Sequence, residues 1–178
     1  LFKAKEYGER LEKFKADPLQ QEKPEFQMKY HALLPVLSGE LPMKVHVHRA
    51  DDMFTAVRIA KEFGIRITLE HATEAHLVAD KVTGLPYPLL LGPNFCDRSK
   101  PELKNLDPKA AGILERNGIR PALITDHPVI PCQHITICAA LAVKHGMSEQ
   151  AALEAITINP ARYCGIDGRV GSLKAGKD

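Results

Sequence analysis

Two histidines that stand two positions apart are the residues most capable of chemistry in this chain. His46 and His48 alternate with valines, and β-branched residues favour an extended strand. Side chains two apart on a strand point to the same face. The next residues, Ala50-Asp51-Asp52, are typical of a helix start with an acidic N-cap. A strand that leads from two imidazoles into a helix is typical of a βα-loop active site, although one packed and one solvated histidine fits equally well.

Three further predicted strands also end on residues that could serve a site. His71 follows the second strand, Gly92-Pro93-Asn94 follows the third, and Asp126-His127 follows the fourth. Helical patterns separate the strands, which predicts parallel βα units whose carboxyl ends meet at one edge. Strands are expected at 43–48, 65–70, 89–91 and 119–125, and helices at 1–16, 26–37, 52–63, 73–81, 107–117, 133–145 and 148–158. Residues 165–178 resemble the approach to another strand.

Two imidazoles and one carboxylate from separate strand ends suit a catalytic divalent metal such as zinc. Asp126 could bind the metal, take the proton of an attacking water and return it to the leaving group. The alternatives are that Asp126 is a turn carboxylate before Pro128 and that His71 packs against the sheet.

Cationic side chains near these strand ends could hold an anionic substrate group. A solvated charged loop is the favoured alternative for the polar segment after the third strand. His127 and His76 could instead be supporting or structural residues. The candidate substrate-binding residues are His48, Arg49, Arg98, Lys100 and His127.

Composition excludes several classes of protein. The 178 residues are 44% hydrophobic and 26% charged, which is ordinary for a globular domain. The net charge of +2 gives no case for nucleic acid or an anionic membrane as partner. Four cysteines without CxxC spacing favour reduced thiols and a cytoplasmic location. A small-molecule substrate is therefore the expected partner.

Several motifs together resemble the metal-dependent amidohydrolases, and most closely their imidazolonepropionase-related branch. The motifs are HxHRADD at 46–52, LEHATEA at 69–75, GPx(5)SKPE at 92–102 and ITDHP at 124–128. The tail, AITINPA at 155–161 followed by GRVGSLKAGKD at 168–178, extends the resemblance, which covers nearly all residues from about 26 onward.

The resemblance implies a (β/α)₈ TIM barrel with a divalent metal centre, most typically zinc, with one or two ions in the complete protein. It maps the strand-five histidine onto His46, with His48 as the nearby alternative. His71 corresponds to the strand-six histidine, and Asp126 corresponds to the strand-eight aspartate. The implied activity is hydrolysis of an amide or cyclic C–N bond. A deaminase of the same superfamily, or a non-catalytic βα scaffold or binding module, remains an alternative.

The sequence also departs from the family pattern. The first-strand HxH pair and the strand-four lysine or glutamate are absent. We therefore expect a half-barrel of strands five to eight that is inactive by itself and that need not contain a metal ion. The expected parts are a helical lead-in at 1–40, βα units at 41–165 and, at 166–178, the start of a link to a β-sandwich. Its two open sheet edges predict self-association or pairing with the missing N-terminal half.

Overall fold

A computed structural model describes residues 1–178. The chain forms two compact units, each built from two separate segments of the sequence. One comprises Leu1–Met43 and Arg58–Ile67, and the other comprises Lys44–Val57 and Thr68–Asp178. The four strands form one sheet in the order β1-β2-β3-β4, with β1 at Met43–Val47, β2 at Ile67–His71, β3 at Leu89–Leu91 and β4 at Ala122–Leu123.

The sheet is parallel and sequential. β3 pairs in parallel with both β2 and β4. The amide of Ala72, just after β2, donates to the carbonyl of Val47 at the end of β1, 2.9 Å away. The carboxyl ends of these strands therefore lie along one edge of the sheet. The predicted α/β fold with parallel strands is confirmed.

Helices alternate with the strands, as the hydrophobic pattern predicts. The longest is amphipathic: Ala4 and Tyr7 are buried among exposed lysines and glutamates. Ser148 caps a later helix by accepting a hydrogen bond from the amide of Ala151. The helices are α1 (Phe2–Ala16), α2 (Met28–His31), α3 (Leu34–Leu37), α4 (Ala50–Phe63), α5 (Ala79–Val82), α6 (Ala110–Arg116), α7 (Ile135–Lys144), α8 (Glu149–Ile156) and α9 (Ile158–Tyr163).

Two of the expected helices are broken into shorter pieces in the structure. The helix expected at 26–37 is split into α2 and α3, because Pro35 cannot donate an amide hydrogen bond within a helix. The helix expected at 73–81 is a 3₁₀ turn at Ala75–Val78 followed by the single turn α5. Residues 166–178, expected as the approach to another strand, form turns and bends, and the Lys177 ammonium donates to the carbonyls of Asp167 and Val170.

Buried apolar residues line both sides of the central strands. Leu69 is fully buried in β2, all three residues of β3 are buried, and Leu114 of α6 is fully buried. A strand buried on both faces is typical of a parallel sheet that helices cover. This core holds the strand ends in place.

Candidate metal centre

Three histidines converge at the carboxyl ends of β1 and β2. The ring centroids of His46 and His48 lie 4.8 Å apart, and those of His46 and His71 lie 4.4 Å apart. One ring nitrogen from each histidine lies within 4.8 Å of those of the other two. His48 and His71 are buried, whereas His46 is exposed. We call His46, His48 and His71 the histidine cluster. The cluster confirms that His46 in β1 and His48, which directly follows β1, face the same side.

Hydrogen bonds orient the two buried rings. The Nδ1 atom of His71 lies 2.8 Å from the carbonyl oxygen of Gly92. Because a carbonyl only accepts, Nδ1 of His71 carries the proton, which leaves the Nε2 lone pair free for a metal. The Nδ1 atom of His48 lies 2.8 Å from the hydroxyl of Thr73. Both rings thus have a partner on Nδ1, the arrangement that supports metal-binding histidines.

The backbone at two of these strand ends is in a sparsely populated conformation. His71 has φ +70° and Ala72 has φ +43°, and Asp126 after β4 has φ +52°. Non-glycine residues with left-handed φ cost of order 1–3 kcal/mol and concentrate at functional sites. The strained positions here coincide with two of the residues that the sequence pattern predicts as metal ligands.

The surroundings of the cluster favour neutral imidazoles. Burial, together with the neighbouring His71 and Lys100, lowers the pKa of His48 to about 4. Desolvation and His71 also hold the pKa of His46 below its ordinary value, and the charge of Asp126 partly offsets this effect. Metal binding requires neutral imidazole, so these two rings are in the ligating form at neutral pH.

Asp126 lies at the same edge of the sheet but outside the histidine cluster. It follows β4 and its side chain is exposed. Its backbone carbonyl accepts a hydrogen bond from the amide of Val129, which closes a turn. Its role as ligand and general base stays a prediction.

The loop after β3 reaches the cluster and brings charges of both signs. The Nζ atom of Lys100 lies 3.5 Å from Nε2 of His48. Oε1 of Glu102 lies 3.7 Å from the same nitrogen and 3.2 Å from Nζ of Lys100. The hydrogen bond from Lys100 is the main reason that the pKa of Glu102 is lowered. Of the predicted cations, Lys100 is the one that lies beside the histidine cluster, and its role in substrate binding stays a prediction.

The other predicted substrate-binding residues have partners elsewhere. Arg49 makes a two-point ion pair with Asp51, at 2.9 Å for each bond, which raises the pKa of the guanidinium. Arg98 donates to the carbonyl of Leu106 at 2.7 Å. The ring of His127 accepts a hydrogen bond from the amide of Cys132. The structure brings none of these three side chains into the histidine cluster, so their role in substrate binding remains a prediction.

Sequence reasoning did not predict a contact with the histidines for several residues that make one. Thr73 stands two positions after His71, a spacing that carries no signal without the turn between them. Gly92 has φ +143°, and a Cβ there would lie 2.1 Å from the carbonyl oxygen of Ile124. Only glycine therefore allows the backbone to bring its carbonyl to His71. Glu102 is the last residue of the GPx(5)SKPE motif, but its contact with His48 depends on the path of the loop.

One sequence expectation at the helix start is corrected. The N-terminal amide of α4, at Ala50, donates to Oε2 of Glu74 at 2.9 Å. Asp51 and Asp52 lie inside the first turn of the helix. The acidic residue that accepts this amide is therefore 24 residues away along the chain. The backbone of Glu74 lies beside the end of β1, because its amide donates to the carbonyl of His48.

The donor set fits a divalent metal ion. Zinc and related ions bind imidazole nitrogens. Because Nδ1 of His71 is engaged by the Gly92 carbonyl, its Nε2 atom is the one available to a metal. His46, His48 and His71 would hold the ion, with ligand atoms that already lie close together.

Comparison with known proteins agrees with this architecture. Residues 10–178 match the model of the amidohydrolase family, and the chain belongs to that family. It is 31% identical over 158 residues to amidohydrolase tasK of Hapsidospora irregularis, which covers 85% of this chain and 16% of that protein. It also superposes on an amidohydrolase from Thermotoga maritima MSB8 with a TM-score of 0.94 and 37% identity, over 99% of this chain and 46% of that one.

A more distant neighbour shares the fold alone. An adenosine deaminase from Xanthomonas campestris, solved with bound zinc, aligns with a TM-score of 0.57 and 18% identity, over 97% of this chain and 45% of that one. The structural neighbours thus identify the fold as that of the TIM-barrel amidohydrolases. The chain spans less than half the length of each of the proteins named here. None of its helices has both the length and the apolar character required to cross a membrane.

Proposed function

We propose that the protein is a metal-dependent hydrolase that cleaves an amide or a cyclic C–N bond. The observation that carries this proposal is the convergence of His46, His48 and His71, whose ligand atoms lie within 4.8 Å of one another. A divalent ion, most typically zinc, would supply a water of lowered pKa and polarise the carbonyl of the substrate. The imidazolonepropionase-related motifs support a cyclic or peptidic amide as substrate.

The residues of this chain would divide the remaining work. The Asp126 carboxylate would accept the proton of the attacking water and deliver it to the leaving nitrogen. Its exposed position after β4 allows it to reach a substrate bound at the sheet edge. Lys100 would bind an anionic group of that substrate, since its ammonium lies 3.5 Å from His48.

Metal binding tests the site directly. The purified protein would be stripped with a chelator and titrated with Zn²⁺ or Co²⁺ against a chromophoric competitor. Removal of a direct ligand in H71A should weaken binding by more than the roughly 100-fold that loss of a supporting residue can cause. His145 caps α7 and lies outside the cluster, so H145A is the matched control. Equal affinities of H71A, H145A and the unaltered protein would contradict the proposal.

Turnover is a separate expectation. Since the chain spans 46% of the T. maritima amidohydrolase, we expect residues 1–178 alone to bind metal but not to turn over substrate. Release of an amine or carboxylate from dipeptides, N-acyl amino acids or cyclic amides by the complete protein, abolished in D126N, would support hydrolysis. Release of ammonia from an aminopurine instead would favour a deaminase, and metal binding without any turnover would favour a binding module.

A further inference from the structure

Glu74 is a buried acidic residue whose contacts join three separate parts of the chain. Its side chain is only 9% exposed. Oε2 accepts from the amide of Ala50 at 2.9 Å, and Oε1 accepts from Nδ2 of Asn105 at 2.8 Å. Its own amide donates to the carbonyl of His48 at 2.9 Å. One residue thus contacts the end of β1, the start of α4 and the loop after β3.

The contact of Glu74 with Asn105 matters because the same loop carries two charged residues to the histidine cluster. Asn105 lies five residues after Lys100 and three after Glu102, the two charged residues beside His48. The polar contacts between this loop and the strand ends are those of Lys100 and Glu102 with His48 and that of Asn105 with Glu74. The hydrogen bond between Glu74 and Asn105 is the one made by a buried carboxylate. A hydrogen bond to a charged acceptor is among the stronger kinds.

We propose that Glu74 is a positioning residue that fastens the loop at 94–106 to the histidine cluster, and so sets where Lys100 and Glu102 stand beside His48. The proposal rests on the proposed function in one respect, namely that these loop residues serve the same site. Thr73, which precedes Glu74 in sequence, also meets the cluster, because its hydroxyl lies 2.8 Å from Nδ1 of His48. Glu74 thus acts on the cluster through the loop, without contacting a substrate.

A carboxylate suits this place for a chemical reason. Both groups that it meets are donors, the amide of Ala50 and the side-chain amide of Asn105. Glutamine offers one acceptor oxygen, but Asn105 can turn its own amide to present an oxygen to the glutamine NH₂. E74Q should thus retain both contacts in weakened form, whereas E74A loses both. A negative charge at the start of α4 is also favourable toward the helix dipole.

Limited proteolysis measures the docking of the loop. Trypsin can hydrolyse the Arg98–Ser99 bond, while the Lys100–Pro101 bond resists it. Cleavage after Arg98, followed by mass spectrometry, should be about tenfold faster in E74A and N105A, since one lost hydrogen bond to a charged group shifts loop opening by about that factor. E74Q should restore a rate within about threefold of the unaltered protein, by the same reasoning.

The matched control is Asn117, whose side-chain amide donates to the backbone carbonyl of Ile113 at the end of α6, outside the loop. N117A should leave cleavage after Arg98 unchanged. Co²⁺ affinity provides the second measurement: E74A should weaken it by about 10–100-fold, as loss of a supporting residue does, and N105A by less. Melting temperatures would identify a variant that fails to fold, in which case N105A and E74Q still decide the question.

Cleavage rates of E74A and N105A equal to that of the unaltered protein would overturn the proposal. So would an equal acceleration in N117A, which would show that the loop responds to any loss of stability. Failure of the unaltered protein to bind Co²⁺ would count against the proposed function. In that case the proteolysis rates alone would decide whether Glu74 positions the loop.

Discussion

At the scale of single residues, the histidine cluster depends on partners that carry no metal-binding character themselves. Thr73 and the carbonyl of Gly92 each contact Nδ1 of a buried histidine at 2.8 Å. The Gly92 carbonyl only accepts, so it places the proton of His71 on Nδ1, whereas the Thr73 hydroxyl can donate or accept and orients the His48 ring. The orientation of the two rings thus depends on a hydroxyl and a backbone oxygen.

Thr73 allows a direct test of this idea. T73V has nearly the same shape but lacks the hydroxyl that meets His48, so we expect Zn²⁺ affinity to fall by about 10–100-fold. Competition with a chromophoric chelator measures the change. T83V is the control, because the Thr83 hydroxyl donates to the carbonyls of Ala79 and Asn117, outside the cluster. An affinity for T73V equal to that of T83V would mean that the hydroxyl does not support the ring.

At the scale of elements, the close pairing of short strands positions the site. β3 has three residues and β4 has two, and the amide of Ile124 donates to the carbonyl of Leu91 just beyond their paired stretch. Gly92 follows immediately and approaches the backbone of Ile124. The same residue turns its carbonyl to His71, so strand pairing and ligand orientation depend on one position.

Substitution of Gly92 should therefore be severe. In G92A the new Cβ would lie 2.1 Å from the carbonyl oxygen of Ile124, at a φ of +143°. We expect the free energy of unfolding to fall by about 3 kcal/mol or more, from overpacking and backbone strain together. Urea denaturation measures this change.

Gly84 separates the two causes of that loss. Its φ is +82°, but a Cβ there would meet no atom within 4 Å. G84A should lower the free energy of unfolding only through backbone strain, by about 1–2 kcal/mol. Equal losses in the two variants would show that the contact with Ile124 is unimportant.

At the scale of the whole molecule, the sheet is open. β1 and β4 lie at its two edges, because the order of strands is β1-β2-β3-β4. Unpaired strand edges present free amide and carbonyl groups to other chains. We expect the 178-residue protein to self-associate through these edges, or to pair with further barrel strands. Sedimentation equilibrium over a wide concentration range would detect the larger species, and a monomer at every concentration would contradict the expectation.

Stability at alkaline pH depends on a tyrosine that connects α9 to the chain before β4. The hydroxyl of Tyr163 donates to the carbonyl of Arg120, and burial raises its pKa above the ordinary value of 10. The folded state thus holds this proton more tightly than the unfolded state does. The contribution of protonated Tyr163 to the free energy of unfolding is fully present below pH 10, and it is lost as the pH rises through the pKa of Tyr163 in the folded state.

Y163F tests this linkage, because phenylalanine has no proton to lose. We expect the free energy of unfolding of the unaltered protein to decline more steeply above pH 10 than that of Y163F. Below pH 10, Y163F should be less stable by about 1 kcal/mol, the typical value of one hydrogen bond. Parallel pH profiles of the two proteins would show that Tyr163 titrates alike in the folded and unfolded states.

Much of the architecture could be predicted from local patterns. Alternation along a strand places His46 and His48 on one face, whatever the rest of the chain does. The period of apolar residues predicts α1, and the Ser148 side chain caps α8 as its position indicates. These features depend on interactions within a few residues, so the sequence by itself determines them. The family motifs likewise identify the amidohydrolase family, which the comparisons confirm.

The tertiary structure decided which distant residues meet. Lys100 reaches His48 across 52 positions, while Arg49, its immediate neighbour, turns to Asp51. Glu74 accepts the first amide of α4 across 24 positions, although two aspartates stand beside that amide in sequence. Such contacts depend on the path of loops and on strained turns, which local propensity does not encode. For that reason the sequence determined the strands that carry the histidines, and only the packed structure decided what surrounds them.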